Sequence, residues 1–174
     1  MIEFERTFLA KYLPEDLSKS MSKEIIDIYI PRISIHPTLR IRRIGSKFEI
    51  TKKYLLNNDK SQQRELTIPL TEDEFDDLKL IGKRVRKLRF YYPLNGKFAE
   101  IDVFQDMLKG LILVEFEFNS EKEMKNFEIP DFCLAEVTSE EFIAGGKLAG
   151  KSFLDLHKQL EKFEYQRLLV PNKL

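Results

Sequence analysis

The chain has 174 residues, enough for one domain with a sizeable core, and its 29 lysines and arginines balance 29 aspartates and glutamates, giving no reason to expect general attraction to nucleic acid or an anionic membrane. Cys133 stands alone, which excludes an internal disulfide, and without a CxxC or Cys/His cluster a structural zinc site has no support. No apolar run reaches membrane-spanning length and a strand starting at Ile2 leaves no room for a signal peptide, so the expected location is cytoplasmic.

Residues 2–9 alternate Glu3, Glu5 and Thr7 against Phe4 and Phe8, the period of a half-buried strand, with Arg6 outside the pattern. Residues 14–19 read as a short helix, Pro14 near its first turn and Glu15 and Asp16 favourable to the helix dipole. The β-branched and aromatic run 23–30 reads as a strand ending at Pro31, with a loop to Pro37. Residues 38–44 place Arg40 and Arg42 on one face and Leu39 and Ile41 on the other. Gly45-Ser46 turns the chain into a partner strand over 47–54, with Thr51 and Lys53 together. After a polar loop at 57–61, residues 63–70 set Gln63, Glu65 and Thr67 against Leu66 and Ile68, and Pro69 marks the strand end. Thr71 and Glu74 have capping-box spacing for a helix over 71–81, whose stripe of Phe75, Leu78 and Ile81 stops at Gly82.

Residues 84–92 form a basic strand, Lys87 and Arg89 opposite Leu88 and Phe90, and a turn at 93–96 leads into the stretch 100–117. Two strands there carry carboxylates at every polar position, Glu100 and Asp102 in one, Glu115 and Glu117 in the other. The link 105–110 lets them pair as a hairpin. Four acids on one surface repel one another, so positive groups belong nearby. Beyond them, 120–127 reads as helical, 131–138 contains a short strand and 140–143 starts a helical turn. Residues 153–168 predict a helix docked through Phe153, Leu154, Leu156, Leu160 and Phe163. The fourteen phenylalanines read most simply as core. The expected organisation is one domain over 1–170 with a loose tail at 171–174.

Charge sign is sorted by strand: Glu3/Glu5, Glu100/Asp102 and Glu115/Glu117 are acidic pairs, Arg40/Arg42 and Lys87/Arg89 basic ones. Solvent-facing strands ordinarily mix charges, so this joint pattern points to an α+β fold in which the sheet curls into a barrel. Apolar residues would then face outward beneath the helices, with charged residues lining the interior. Carboxylates at i, i+2 offer hard oxygen ligands to Mg²⁺ or Mn²⁺, and arginines and lysines supply the field that holds a polyanion. Together they suit a metal-bound polyphosphate. Other features carry less: His36 and His157 are isolated, and Gly145-Gly146 lacks the setting of a phosphate loop. The basic run 83–89 alternates with Val85 and Leu88, as a strand does, which favours a strand over a nucleic-acid patch.

Glu3-x-Glu5, Arg40-x-Arg42, Thr51-x-Lys53, Lys87-x-Arg89-Phe90, Glu100-Ile101-Asp102-x-Phe104, Gly110-Leu111, Val114-Glu115-Phe116-Glu117-Phe118, Pro130 and Glu136-Val137-Thr138 form an ordered series over residues 2–150. The series resembles the CYTH domain of the triphosphate tunnel metalloenzymes. The resemblance implies a closed eight-stranded antiparallel β-barrel, a tunnel with helices packed outside, that binds a small-molecule triphosphate with Mg²⁺ or Mn²⁺. Family members include inorganic, thiamine and RNA triphosphatases and class IV adenylate cyclases. The chain departs from the family pattern in three places. Thr7 stands where the ExExK motif has lysine, Gln63 where an arginine precedes the acidic position, and Phe142, Ile143 and Gly145 where an Arg-Tyr and an Asn follow EVT.

The expected reaction is metal-dependent hydrolysis of a terminal phosphoanhydride of inorganic tripolyphosphate or a nucleoside or thiamine triphosphate. Glu3, Glu5, Glu115 and Glu117 would hold metal, and Arg40, Arg42, Lys53, Lys87 and Arg89 would clamp phosphates. Glu65, Glu100 or Asp102 would orient the attacking water. A class IV-type adenylate cyclase and a noncatalytic polyphosphate or nucleotide binder are the alternatives. The oligomeric state stays open, a homodimer being one option.

Overall fold

The structure, a computed structural model, describes residues 4–34, 39–56 and 59–170, with the side chains of 53–64 outside the description. Its strands are β1 (Phe4–Ala10), β2 (Met21–Ile30), β3 (Leu39–Ile44), β4 (Lys47–Leu56), β5 (Asp59–Leu70), β6 (Lys83–Leu94), β7 (Lys97–Phe104), β8 (Ile112–Phe118) and β9 (Cys133–Glu136). The helices are short: α1 (Glu72–Leu78), α2 (Glu121–Lys125), α3 (Gly145–Leu148) and α4 (His157–Glu161), with 3₁₀ turns between. The class is α+β, and the described pairings are antiparallel. No helix among the described residues is long and apolar enough to cross a membrane.

The chain divides into two compact units. Unit 1 comprises residues 1–23, 87–142 and 151–174, with strand order β6-β7-β8-β1-β9. Its core is the apolar half of the alternation: Phe8, Phe90, Ile101, Val103, Ile112, Val114, Phe116 and Phe118 are buried together, and Phe8 meets Phe116 edge-on. Each such side chain contributes about 1.5–3 kcal/mol by leaving water. β6 and β7 join through Asn95-Gly96, with φ of 48° and 79°, the left-handed pair that a two-residue hairpin turn demands. The acidic hairpin expected at 100–117 forms as β7 and β8, linked by a 3₁₀ turn at Asp106–Leu108.

Unit 2 comprises residues 24–86 and 143–150, with order β5-β4-β3-β2 and the first residues of β6 beside β2. Ile28, Ile41 and Phe75 centre its core, with Ile26, Ile30, Phe48 and Leu78 against them. The capping box of α1 is present: Glu74 N–H donates to Thr71 Oγ1 at 3.2 Å and Thr71 N–H donates to Glu74 Oε2 at 2.7 Å.

Several expectations are corrected. The described strands number nine rather than eight, because the short β9 adds to the free side of β1. Helix α1 ends at Leu78, and Ile81 is half exposed instead of extending the stripe. Pro93 lies within β6, so the turn is only Asn95-Gly96. The helix over 153–168 is broken: beyond α4, Glu164 takes φ of 55° and the chain runs extended. Tertiary bonds override helix propensity there. The buried Tyr165 phenol donates to Gly110 O and accepts from Ile112 N–H, both at 2.9 Å, and Leu168 N–H donates to Gly110 O at 3.1 Å. Those backbone groups would otherwise lack partners. Phe98 is largely exposed, an exception to the phenylalanine core.

Candidate active site

In unit 1 the charged half of the alternation gathers on one face. Register places Glu5 opposite Glu117 and Thr7 opposite Glu115 across β1 and β8, and Glu115 opposite Glu100 across β8 and β7. Arg89, opposite Asp102 on β6 and β7, is the counter-ion that three of these acids share. Its Nε and Nη2 donate to the two Asp102 oxygens at 2.7 and 2.6 Å, Nη2 also reaches Glu115 at 2.5 Å, and Nη1 reaches Glu100. Lys87 Nζ donates to Asp102 as well and lies 5.7 Å from the centre of the Phe104 ring.

Burial alone would raise the Asp102 carboxyl, yet Lys87 and the Arg89 fork outweigh it and hold the pKa below the usual value. Desolvation would lower Arg89, but its bonds to Asp102 and the charges of Glu115 and Glu100 hold it raised. Glu100 moves the other way. Burial raises its pKa, Arg89 opposes, and the charges of Glu115, Glu117 and Asp102 add to the rise. The face brings together Glu5, Glu100, Asp102, Glu115 and Glu117 beside the Lys87 and Arg89 cations.

Unit 2 carries the basic pair Arg40 and Arg42 with two acids, Asp27 and Glu65, beside it. Arg42 Nε and Nη2 donate to the Asp27 oxygens at 2.6 and 2.8 Å, fork to fork. Arg40 Nε stands 4.0 Å from Asp27 and is buried without a hydrogen-bond partner among the described residues, while its Nη2 lies 3.6 Å from Glu65. Thr51, buried opposite Arg40, bonds Thr67 at 2.9 Å. Tyr29 is buried beside them, its phenol pushed up by desolvation first and by Asp27 second. Gly145 passes so close that a Cβ would sit 1.9 Å from the Tyr29 hydroxyl, so only glycine fits.

Of the residues expected to hold metal, Glu5, Glu115 and Glu117 share the acidic face, and Glu3 lies outside the described residues. Among the expected phosphate ligands, Lys87 and Arg89 lie in unit 1 and Arg40 and Arg42 in unit 2, while the side chain of Lys53 is outside the description. Glu100 and Asp102 belong to unit 1 and Glu65 to unit 2, beside Arg40. Asp27 and Tyr29 escaped the sequence reading. Their signal was one acid and one phenol sharing a face within the apolar run of β2. His157 pairs with Glu161 at 3.2 Å on an exposed surface, and Cys133 is a thiol whose pKa burial pushes up to about 12.

The donor set of unit 1 suits a hard divalent cation: Glu5, Glu115 and Glu117 present only carboxylate oxygen, with Glu100 across from Glu115. Among the described residues no three such groups already converge tightly enough to form a coordination shell.

No family model matches the chain. An inorganic triphosphatase of Nitrosomonas europaea is 33% identical over 141 residues, covering 80% of this chain and 91% of that protein. The chain belongs to the CYTH-domain family of triphosphate tunnel metalloenzymes. A crystal structure of an inorganic triphosphatase superposes with TM-score 0.65 at 27% identity, covering 86% of this chain and 95% of that one. A second crystal structure, described as that of a hypothetical protein, gives TM-score 0.66 at 28% identity, covering 86% and 99%. Against the CYTH pattern, Thr7 at the lysine position is buried, and its N–H donates to Thr138 Oγ1 at 3.0 Å, tying the start of the acidic face to the EVT segment. Of the altered positions after EVT, Phe142 stacks on Phe163 and Gly145 admits Tyr29.

Proposed function

We propose that the chain is a divalent-metal-dependent triphosphatase that hydrolyses inorganic tripolyphosphate. The observation that carries this reading is the acidic face of β1, β7 and β8, whose carboxylates outnumber the Lys87 and Arg89 cations on it. The 33% identity to an inorganic triphosphatase supports the choice of substrate. Glu5, Glu115 and Glu117, with Glu3, would hold Mg²⁺ or Mn²⁺. When bound, the ion supplies neutralisation of phosphate charge. Lys87 and Arg89, with Arg40, Arg42 and Lys53, hold the phosphate chain, and Glu65 or Glu100 orients the water. Asp102, wholly buried and engaged by Lys87 and Arg89, fixes those two cations. The water oxygen bonds to the terminal phosphorus, the bridging P–O bond breaks, pyrophosphate leaves with the electron pair, and the water's proton passes to the carboxylate that orients it. The closed antiparallel tunnel implied by the family resemblance belongs to this proposal, as does a single domain over 1–170.

The purified chain, incubated with Mg²⁺ or Mn²⁺ and tripolyphosphate, is expected to release orthophosphate and pyrophosphate, and chelation is expected to stop it. Pyrophosphate with cyclic AMP from ATP would instead make it a cyclase, and tight binding without product would make it a binder.

A further inference from the structure

We propose that Asp27 is a built-in counter-ion of the arginine pair Arg40 and Arg42, a positioning residue that sets how tightly a polyphosphate is held and how readily product leaves. The inference rests on the triphosphatase reading above. On β2, Ile26, Ile28 and Ile30 supply the core side, while Ile25, Asp27 and Tyr29 occupy the other and are all buried. A carboxylate there is only 3% exposed, a costly burial that an apolar side chain would avoid, so its retention calls for a role. Asp27 accepts both Nε and Nη2 of Arg42, the same planar donor pair that a phosphate engages, and lies 4.0 Å from the otherwise unpartnered Nε of Arg40.

With Glu65 3.6 Å from Arg40 Nη2, Asp27 therefore faces both guanidinium groups. It orients them and cancels part of their field, so an incoming anion must compete with a charge the protein already holds. A long polyanion making several contacts overcomes that competition, and a shorter, less charged product is released. Removing the carboxylate without changing its size should strengthen anion binding and retain product, lowering KM and kcat together. A merely structural Asp27 would show neither change.

The test is calorimetric titration of the full chain with tripolyphosphate, metal-free with chelator at fixed ionic strength, beside steady-state kinetics with Mg²⁺. Asp27→Asn and Asp27→Ser are expected to bind tripolyphosphate at least about tenfold more tightly than wild type, with KM and kcat both reduced. Asp27→Glu, which keeps the charge, should stay near wild type. Unchanged or weaker binding in both neutral variants overturns the proposal, and so does loss of fold in both, which would make Asp27 purely structural. If wild type hydrolyses tripolyphosphate while the variants do not differ from it, only the counter-ion role fails. If neither wild type nor variants bind or hydrolyse it, the triphosphatase reading fails and takes this one with it.

Discussion

The charged faces of the two units solve one physical problem with opposite signs. In unit 1, carboxylates on β7 and β8 are held together by a cation, Arg89, which reaches Asp102, Glu100 and Glu115. In unit 2, arginines on β3 flank an anion, Asp27 on β2. Each face keeps like charges side by side, the arrangement that repels on a sheet, and offsets it with a counter-ion set between them. In unit 1 the carboxylates outnumber Lys87 and Arg89, whereas in unit 2 Asp27 and Glu65 match Arg40 and Arg42 one for one. Local charge sorting, rather than the neutral total, therefore sets the character of each face.

The comparison breaks most visibly in unit 1, at Arg89 and its partner Asp102. Arg89→Ala strands three carboxylates and is expected to cost about 3–5 kcal/mol in denaturant unfolding; a loss below about 1 kcal/mol would show that Arg89 does not hold the face. Asp102→Asn should cost about 3 kcal/mol at neutral pH. Because its folded pKa is depressed, Asp102 contributes fully above about pH 4, the unfolded carboxyl value. That contribution is lost as pH falls through the lower folded value, so the variant should show a flatter acid limb in unfolding titrations. Glu100, whose folded pKa is raised, carries the opposite sign: ionising it costs stability as pH rises through that value, and Glu100→Gln should remove this slope. Glu5→Gln separates ligand offer from fold. Metal-dependent turnover should drop at least about 100-fold with the unfolding midpoint unchanged, and full activity would remove Glu5 from the site. The smallest effect is a control in unit 2. Thr71→Ala loses the capping box and about 1 kcal/mol, and tripolyphosphate affinity should not move.

Strand faces were legible because period-two alternation writes them into the chain: Arg40/Arg42, Lys87/Arg89, Glu100/Asp102 and Glu115/Glu117 each fall on one face as expected. Which counter-ion serves which pair was not legible, since cross-strand register decides it and no single strand contains that information. Asp27 was hidden for a related reason: an acid inside KEIIDIYI reads alike whether it meets water or an arginine. The carboxy-terminal helix is shorter than the spacing of Phe153 to Phe163 predicts, because its end is set by distant backbone groups at Gly110 and Ile112 that periodicity does not register.

At the start of β8, the Ile112 amide proton rests on the Tyr165 oxygen instead of on a neighbouring strand. Deuterium uptake at that one site therefore serves as a gauge of whether the distant chain end is seated. Severing the chain ahead of Tyr165, or Tyr165→Phe, should quicken the uptake locally while amides elsewhere in the hairpin keep their pace.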